Sequence, residues 1–178
     1  MPPSERPVPP RLTWAVGLLA PRPDDVVLEV GGGPGVSAGL VCERLTTGRL
    51  LALDRSPVAQ ERARHRHAEL VRAGRLVLLE TALEDAALDP SSMDRALAVD
   101  VNQFWTGGAD AGTEVLLRAL RPGAPLLLLW GAGGPTGPDR VLGPVTDLLR
   151  RHGVEDVRPV VAAEGFGVLA RAPDDPGR

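Results

Sequence analysis

Between residues 26 and 35 the chain reads VVLEVGGGPG, an apolar run interrupted only by Glu29 and ending directly in glycines. A short Val- and Leu-rich run of this kind is the mark of a strand buried on both faces, and such strands belong to parallel sheets. Glycines at its end let the backbone turn sharply and approach a ligand without a Cβ in the way. The stretch 36–45 then reads as the helix that returns the chain. A strand that must be covered on both faces constrains everything after it, and the remaining sequence meets that demand by alternation. Strands are expected at Arg49–Leu53, Arg75–Leu79, Arg95–Val101 and Leu126–Trp130. Helices are expected at Pro57–Arg72, with Ser56 as cap and Pro57 in the first position, at Ala111–Leu120, stopped by Pro122 and Gly123, and at Arg140–His152. A short helix over Arg11–Ala20, halted by Pro21 and Pro23, precedes them. Two closing apolar runs, Val154–Val161 and Phe166–Ala170, are separated by Glu164 and Gly165 as in a hairpin. The reading is an α/β three-layer sandwich: a mainly parallel seven-stranded sheet with a C-terminal antiparallel hairpin and right-handed crossovers. Residues 11–171 are expected to form one domain, with 1–10 a flexible arm and 172–178 a tail.

Composition narrows the chemistry. Lys and Arg together number 20, and every one is Arg; Tyr is absent. Without Lys there is no Schiff base and no phosphate-binding lysine, and without Tyr no Tyr/Lys proton relay. One Cys, Cys42, and three His leave no paired spacing for a metal, so none is expected. A formal net charge of -3 with no long run of Lys or Arg offers no positive field to hold a nucleic-acid backbone without help from elsewhere. The longest apolar stretch is far below bilayer length and the Pro-rich start lacks a signal-peptide core, which points to a cytoplasmic protein with no membrane partner.

Glu29 to Gly35 stands at the carboxyl edge of the sheet, where open α/β folds place ligands, and Asp54 follows the second strand toward the same crevice. A carboxylate there can accept both hydroxyls of a ribose. The glycine run alone does not choose the cofactor, since Gly33-Pro34-Gly35-Val36-Ser37-Ala38 also satisfies the loose GxGxxA form of a dinucleotide site. Glu29, two residues before Gly31, and the terminal hairpin separate the two cases.

Taken together, VVLEVGGGPG at 26–35, LLALDRSP at 50–57, ETALED at 80–85, MDRALAVDVNQFW at 93–105 and ALRPGAPLLLL at 119–129 resemble, in order, the class I S-adenosylmethionine-dependent methyltransferases. That resemblance implies a Rossmann-like fold, S-adenosyl-L-methionine as cofactor and a methyltransferase of the EC 2.1.1 class. It also implies roles by position. Gly31, Gly32 and Gly33 would pack against the methionine moiety and ribose, and Glu29 would reach the cofactor amino group directly or through water. Asp54 would bind the ribose hydroxyls, Arg55 would lie beside the adenine, Ala82 and Leu83 would touch its edge, and Asp100 would stand near the methionine end. Two positions depart from the family pattern: Thr81 falls where an acid often accepts from the adenine amino group, and Asp100 where Asn is common.

The acceptor pocket is expected past the fourth strand, over Asn102, Phe104 and Trp105, with Trp130 and Trp14 as further walls. No catalytic base is identified, because the sulfonium already carries its leaving group. His65 and His67, set among Arg62, Arg64 and Arg66, read as a solvated face. The expected activity is methyl transfer to a small-molecule acceptor by in-line displacement. A non-catalytic S-adenosylmethionine-binding or regulatory role and, behind it, a nicotinamide-dependent oxidoreductase are the alternatives. No long insertion follows the fourth or fifth strand, which fits a small or flexible acceptor, a homodimer that completes the site, or a protein without turnover.

Overall fold

The computed structural model describes residues 7–134 and 136–174. Its sheet has seven strands in the order β3-β2-β1-β4-β5-β7-β6. They are β1 (Val26–Val30), β2 (Arg49–Leu53), β3 (Leu76–Leu79), β4 (Arg95–Val99), β5 (Pro125–Gly131), β6 (Val157–Ala162) and β7 (Gly165–Arg171). The first five run parallel, and β7 lies antiparallel to both β5 and β6. The order reverses at β1: the chain moves outward through β2 and β3, then crosses back to β4. That reversal opens a crevice beyond the carboxyl ends of β1 and β4, the usual ligand position in open α/β sheets.

Helices cover both faces. α1 (Pro10–Leu19) and α2 (Val36–Cys42) pack on one with Leu50, Leu97, Leu127 and Leu129, together with α3 (Pro57–Arg66) and α4 (Ala68–Arg72) beside β3. The other face holds α5 (Gln103–Thr106), α6 (Asp110–Ala119) and α7 (Pro138–Arg151) over Leu28, Leu126, Leu128 and Val168. Alternate residues of β5 supply the two cores, as a pleated strand buried on both sides must.

Boundaries differ from the sequence reading in instructive ways. Pro10 already opens α1, its missing N–H being harmless at a helix start; residues 1–6 of the expected arm and 175–178 of the expected tail lie outside the described residues. The single helix expected over 57–72 breaks at His67, whose φ of -124 and ψ of 36 leave the helical region. The fourth strand stops at Val99, because Asp100 turns into the left-handed region at φ 60. At the opposite edge of the sheet Asp25 and Arg95, both largely buried, pair side by side, and Arg95 also donates to the Leu19 carbonyl at 3.0 Å. This ties the end of α1 to β1 and β4.

Candidate functional site

Register places the site. Val30 lies level with Leu53 across β1 and β2, so both strands deliver their carboxyl ends to one edge. The glycine loop leaves β1 there and is held from β2: Gly31 and Gly32 N–H both donate to the Leu53 carbonyl, at 2.8 and 3.0 Å. The next N–H, of Gly33, donates to Asp54 Oδ2 at 2.8 Å, while Oδ1 accepts from Ser56 N at 2.8 Å. Three consecutive loop amides are thus spent within the protein, and the loop offers a ligand room instead of free donors. At Gly31 (φ +71) a Cβ would stand 2.6 Å from Val101 Cγ2, so only glycine fits between the loop and the segment after β4. Asp54 keeps its second lone pairs, since each oxygen accepts a single bond from the chain.

Two residues that read as ordinary from the sequence brace this loop. Gln60 is buried in α3, and its Nε2 reaches the carbonyls of Leu79, Ala52 and Asp54 at 2.9, 3.3 and 3.4 Å, gathering the ends of β2 and β3. His67, expected on a solvated face, is half-buried, and its Nε2 lies 2.6 Å from the Gly35 carbonyl. A carbonyl only accepts, so Nε2 carries the proton and donates. The break between α3 and α4 turns the ring inward. His65 does remain exposed, beside Glu61.

A cleft of about 400 Å³ opens at this edge. Its floor is Val30, Gly31 and Leu53; Asp54 and Arg55 form one wall, Thr81 to Glu84 a second, and the run from Val99 to Phe104 a third. Of the residues expected at a cofactor, Gly31, Asp54, Arg55, Ala82, Leu83 and Asp100 line it. Gly32 and Gly33 stand behind the lining, in the braced loop. Glu29 does not enter the cleft: it is 2% exposed, and a Cβ on Gly32 would lie 3.2 Å from its Oε2, so the carboxyl sits directly beneath the loop. Oε2 has no hydrogen-bond partner among the described residues. Burial drives this carboxyl up to about 7; the Ser37 side chain opposes the shift and the Asp54 charge adds to it. Thr81 spends its hydroxyl on the Ala82 carbonyl at 3.1 Å, and Glu84 alongside is exposed.

On the acceptor side the structure separates the expected residues. Asn102 and Phe104 line the cleft. Trp105 does not; it faces a neighbouring groove between α5 and α7, although its Nε1 donates to Asn102 Oδ1 at 3.2 Å. Trp130 is 5% exposed and belongs to the core under α7, because it continues the buried alternation of Leu126 and Leu128 on β5. Trp14 packs with the α1–α2 core and is likewise outside the cleft. Asp100 Oδ2 accepts from Arg11 Nε at 2.7 Å and Oδ1 from Gly131 N at 3.0 Å, so its charge is already compensated.

The residues present fit S-adenosylmethionine. A carboxylate with spare lone pairs stands at the end of β2, Leu53 and Leu83 give the lining apolar surface of the kind a purine packs on, and the volume is within the range of small-molecule sites, about 300–1,000 Å³. No residue group of His, Cys, Asp or Glu arranged to hold a metal occurs among the described residues.

Known proteins share this fold. The model of the family "Methyltransferase domain" matches residues 27–123, which takes in the glycine loop, Asp54 and the whole third wall. Among solved structures, a proposed S-adenosyl-L-methionine-dependent methyltransferase of Methanococcus maripaludis superposes with a TM-score of 0.78 at 14% identity, covering 95% of this chain and 87% of that one. A SAM-dependent methyltransferase of Aquifex aeolicus gives 0.76 at 18% identity, covering 90% and 89%. At such identities the likeness is one of fold. Ribosomal RNA small subunit methyltransferase H of Solibacter usitatus (strain Ellin6076) is 44% identical over 55 residues, which is 31% of this chain and only 19% of that protein. With more than half its length matched by the family model and the site at the expected sheet edge, the chain belongs to the methyltransferase domain family of the class I S-adenosylmethionine-dependent methyltransferases.

Proposed function

We propose that this chain transfers a methyl group from S-adenosyl-L-methionine to a small-molecule acceptor. The observation that carries the reading is the junction of the braced glycine loop, Asp54 and the cleft over β1 and β4. When bound, the cofactor supplies an electrophilic methyl on a sulfonium, and the chain's task is placement. Asp54 would take the ribose hydroxyls on its spare lone pairs, with its geometry set by the Gly33 and Ser56 amides. Leu83, Ala82 and Leu53 would sandwich the adenine, and Arg55 would cover its outer side. Gly31 would let the methionine portion lie against the main chain, and Val99, Val101 and Phe104 would keep water from the reacting end. Holding two reactants in line is worth effective molarities up to about 10⁵–10⁸ M, so positioning can account for most of the rate without a general base.

A small acceptor is supported by the net charge of -3 and by the absence of a long run of Lys or Arg in the sequence. The test uses S-adenosylmethionine labelled in the methyl group, offered with a low-molecular-weight metabolite pool and, separately, with small ribosomal subunits. Label in the small-molecule fraction is expected. Label in ribosomal RNA alone would overturn the choice of acceptor while keeping the reaction. Cofactor binding without transfer to either would favour the non-catalytic alternative, for which the single short helix α5 over the cleft gives some ground.

A further inference from the structure

The third wall of the cleft starts at a turn made without a glycine. Asp100 follows β4 in the left-handed region, at φ 60, a conformation that a residue with a Cβ keeps only when its surroundings hold it there. Its main-chain N–H still continues the sheet, donating to the Leu129 carbonyl at 2.8 Å. In a parallel ladder the carbonyl of that same residue would accept next, from Gly131 N–H. Here the side chain does so instead: Oδ1 accepts from Gly131 N at 3.0 Å. The carboxylate stands in for a main-chain acceptor and carries the β4–β5 pairing one step past the turn.

The other oxygen is held from α1. Arg11, in the first turn of that helix, donates Nε to Asp100 Oδ2 at 2.7 Å. Its stem lies against Gly131, where a Cβ would come within 2.5 Å of Arg11 Cδ and 3.1 Å of Nε. Gly131 is not among the glycines with positive φ, so it is needed for space and not for its backbone angle. Three elements thus meet on one carboxylate: α1, the end of β4 and the end of β5. The turn they hold directs the run that follows. Val101 Cγ2 fills the space beside Gly31, where a Cβ would lie 2.6 Å away, and Asn102 and Phe104 continue along the cleft. Arg11 itself lies outside the lining of the cleft, whereas Asp100 is part of it.

We propose that Arg11 is a positioning residue of the methyltransferase site: it latches Asp100 in the left-handed turn and so presets the wall from Val101 to Phe104 against the glycine loop. This rests on the reading of the cleft as the cofactor site and adds α1 to the elements that build it. The ion pair is partly exposed, 36% at Arg11 and 43% at Asp100, so it contributes little to global stability. Its effect is local. Without the latch the turn relaxes, only a fraction of molecules keep the wall in its binding form, and the apparent affinity falls by that fraction.

The test is a double-mutant cycle on the full chain, read by calorimetric titration with S-adenosylhomocysteine and by urea unfolding. Arg11→Gln should weaken binding about five- to tenfold while the urea midpoint stays close to that of the parent. Gly131→Ala, which displaces the Arg11 stem, should weaken binding by a similar factor. In the Asp100→Asn background Oδ1 can still accept from Gly131, but the charge that seats Arg11 is gone, and Arg11→Gln should then cost less than about twofold. In the ligand-free chain the Gly131 amide should exchange with solvent about tenfold or more faster in Arg11→Gln than in the parent, measured by hydrogen-exchange NMR. An affinity unchanged in Arg11→Gln, a loss of the same size in both backgrounds, or a large drop in the urea midpoint would overturn the proposal. If S-adenosylhomocysteine fails to bind the parent chain, the cofactor reading falls, while the Gly131 exchange rate still decides the latch: a rate unchanged in Arg11→Gln overturns it.

Discussion

Replacing Glu29 by Gln should make the protein more stable, and by an amount that grows with pH. The carboxyl is 2% exposed beneath Gly32, one of its oxygens has no partner, and burial raises it from 4.5 to about 7. Between those two values the folded chain holds a proton that the unfolded chain has released. Stability contributed by this group is therefore complete below pH 4.5 and is lost as pH rises toward 7, after which it stays level. At 1.36 kcal/mol per pH unit, the loss between pH 5 and pH 8 comes to about 2 to 3 kcal/mol. Gln keeps the shape and cannot ionise. The difference in unfolding free energy between Glu29→Gln and the parent should accordingly rise by about that amount from pH 5 to pH 8, measured by urea denaturation at several pH values. Subtracting the parent removes the other titrating groups. A difference that is flat across this range would show that Glu29 is not a buried acid held protonated beneath the loop and would refute the description of the loop's underside.

Asp54→Ala should weaken S-adenosylhomocysteine binding at least tenfold. Each charge-assisted bond to the ribose is worth about 1.5 to 3 kcal/mol, and the loop amide at Gly33 loses its anchor as well. An unchanged calorimetric affinity would remove that role. His67→Ala should lower both thermal stability, by about 1 to 2 kcal/mol, and cofactor affinity, whereas His67→Gln, which keeps a donor for the Gly35 carbonyl, should recover part of the affinity. Equal affinities in the two variants would make the imidazole a packing group only. Asp25→Ala should cost about 3 to 5 kcal/mol in denaturant unfolding, because it strands the Arg95 charge between α1 and the sheet. A loss under about 1 kcal/mol would place that pair among surface ion pairs.

The strands were legible because each buried run of Val and Leu is bounded by Gly, Pro or a charge, and the carboxyl edge of β1 and β2 follows from parallel pairing alone. Gly31 and Asp54 could therefore be placed on one crevice before any coordinates. What the sequence concealed depends on tertiary contacts. His67 sits in a run of Arg and His that reads as solvent-facing; only the break after Arg66 turns its ring onto Gly35. Gln60 looks like any polar helix residue, yet its two amide hydrogens are shared among the carbonyls of Ala52, Asp54 and Leu79. α5 has four residues, too few to show a period, and so the turn that presents Asn102 and diverts Trp105 to a second groove was not foreseen. Trp130 ends an apolar strand, and nothing in such a run tells a core residue from a pocket wall.

The central claim, that the cleft over β1 and β4 holds S-adenosylmethionine, is tested most directly by calorimetric titration of the purified chain with S-adenosylmethionine and S-adenosylhomocysteine, with a nicotinamide dinucleotide as control. Micromolar binding of the first two, with no heat from the dinucleotide, is the predicted result. No binding of either sulfur nucleoside, or tighter binding of the dinucleotide, would contradict it.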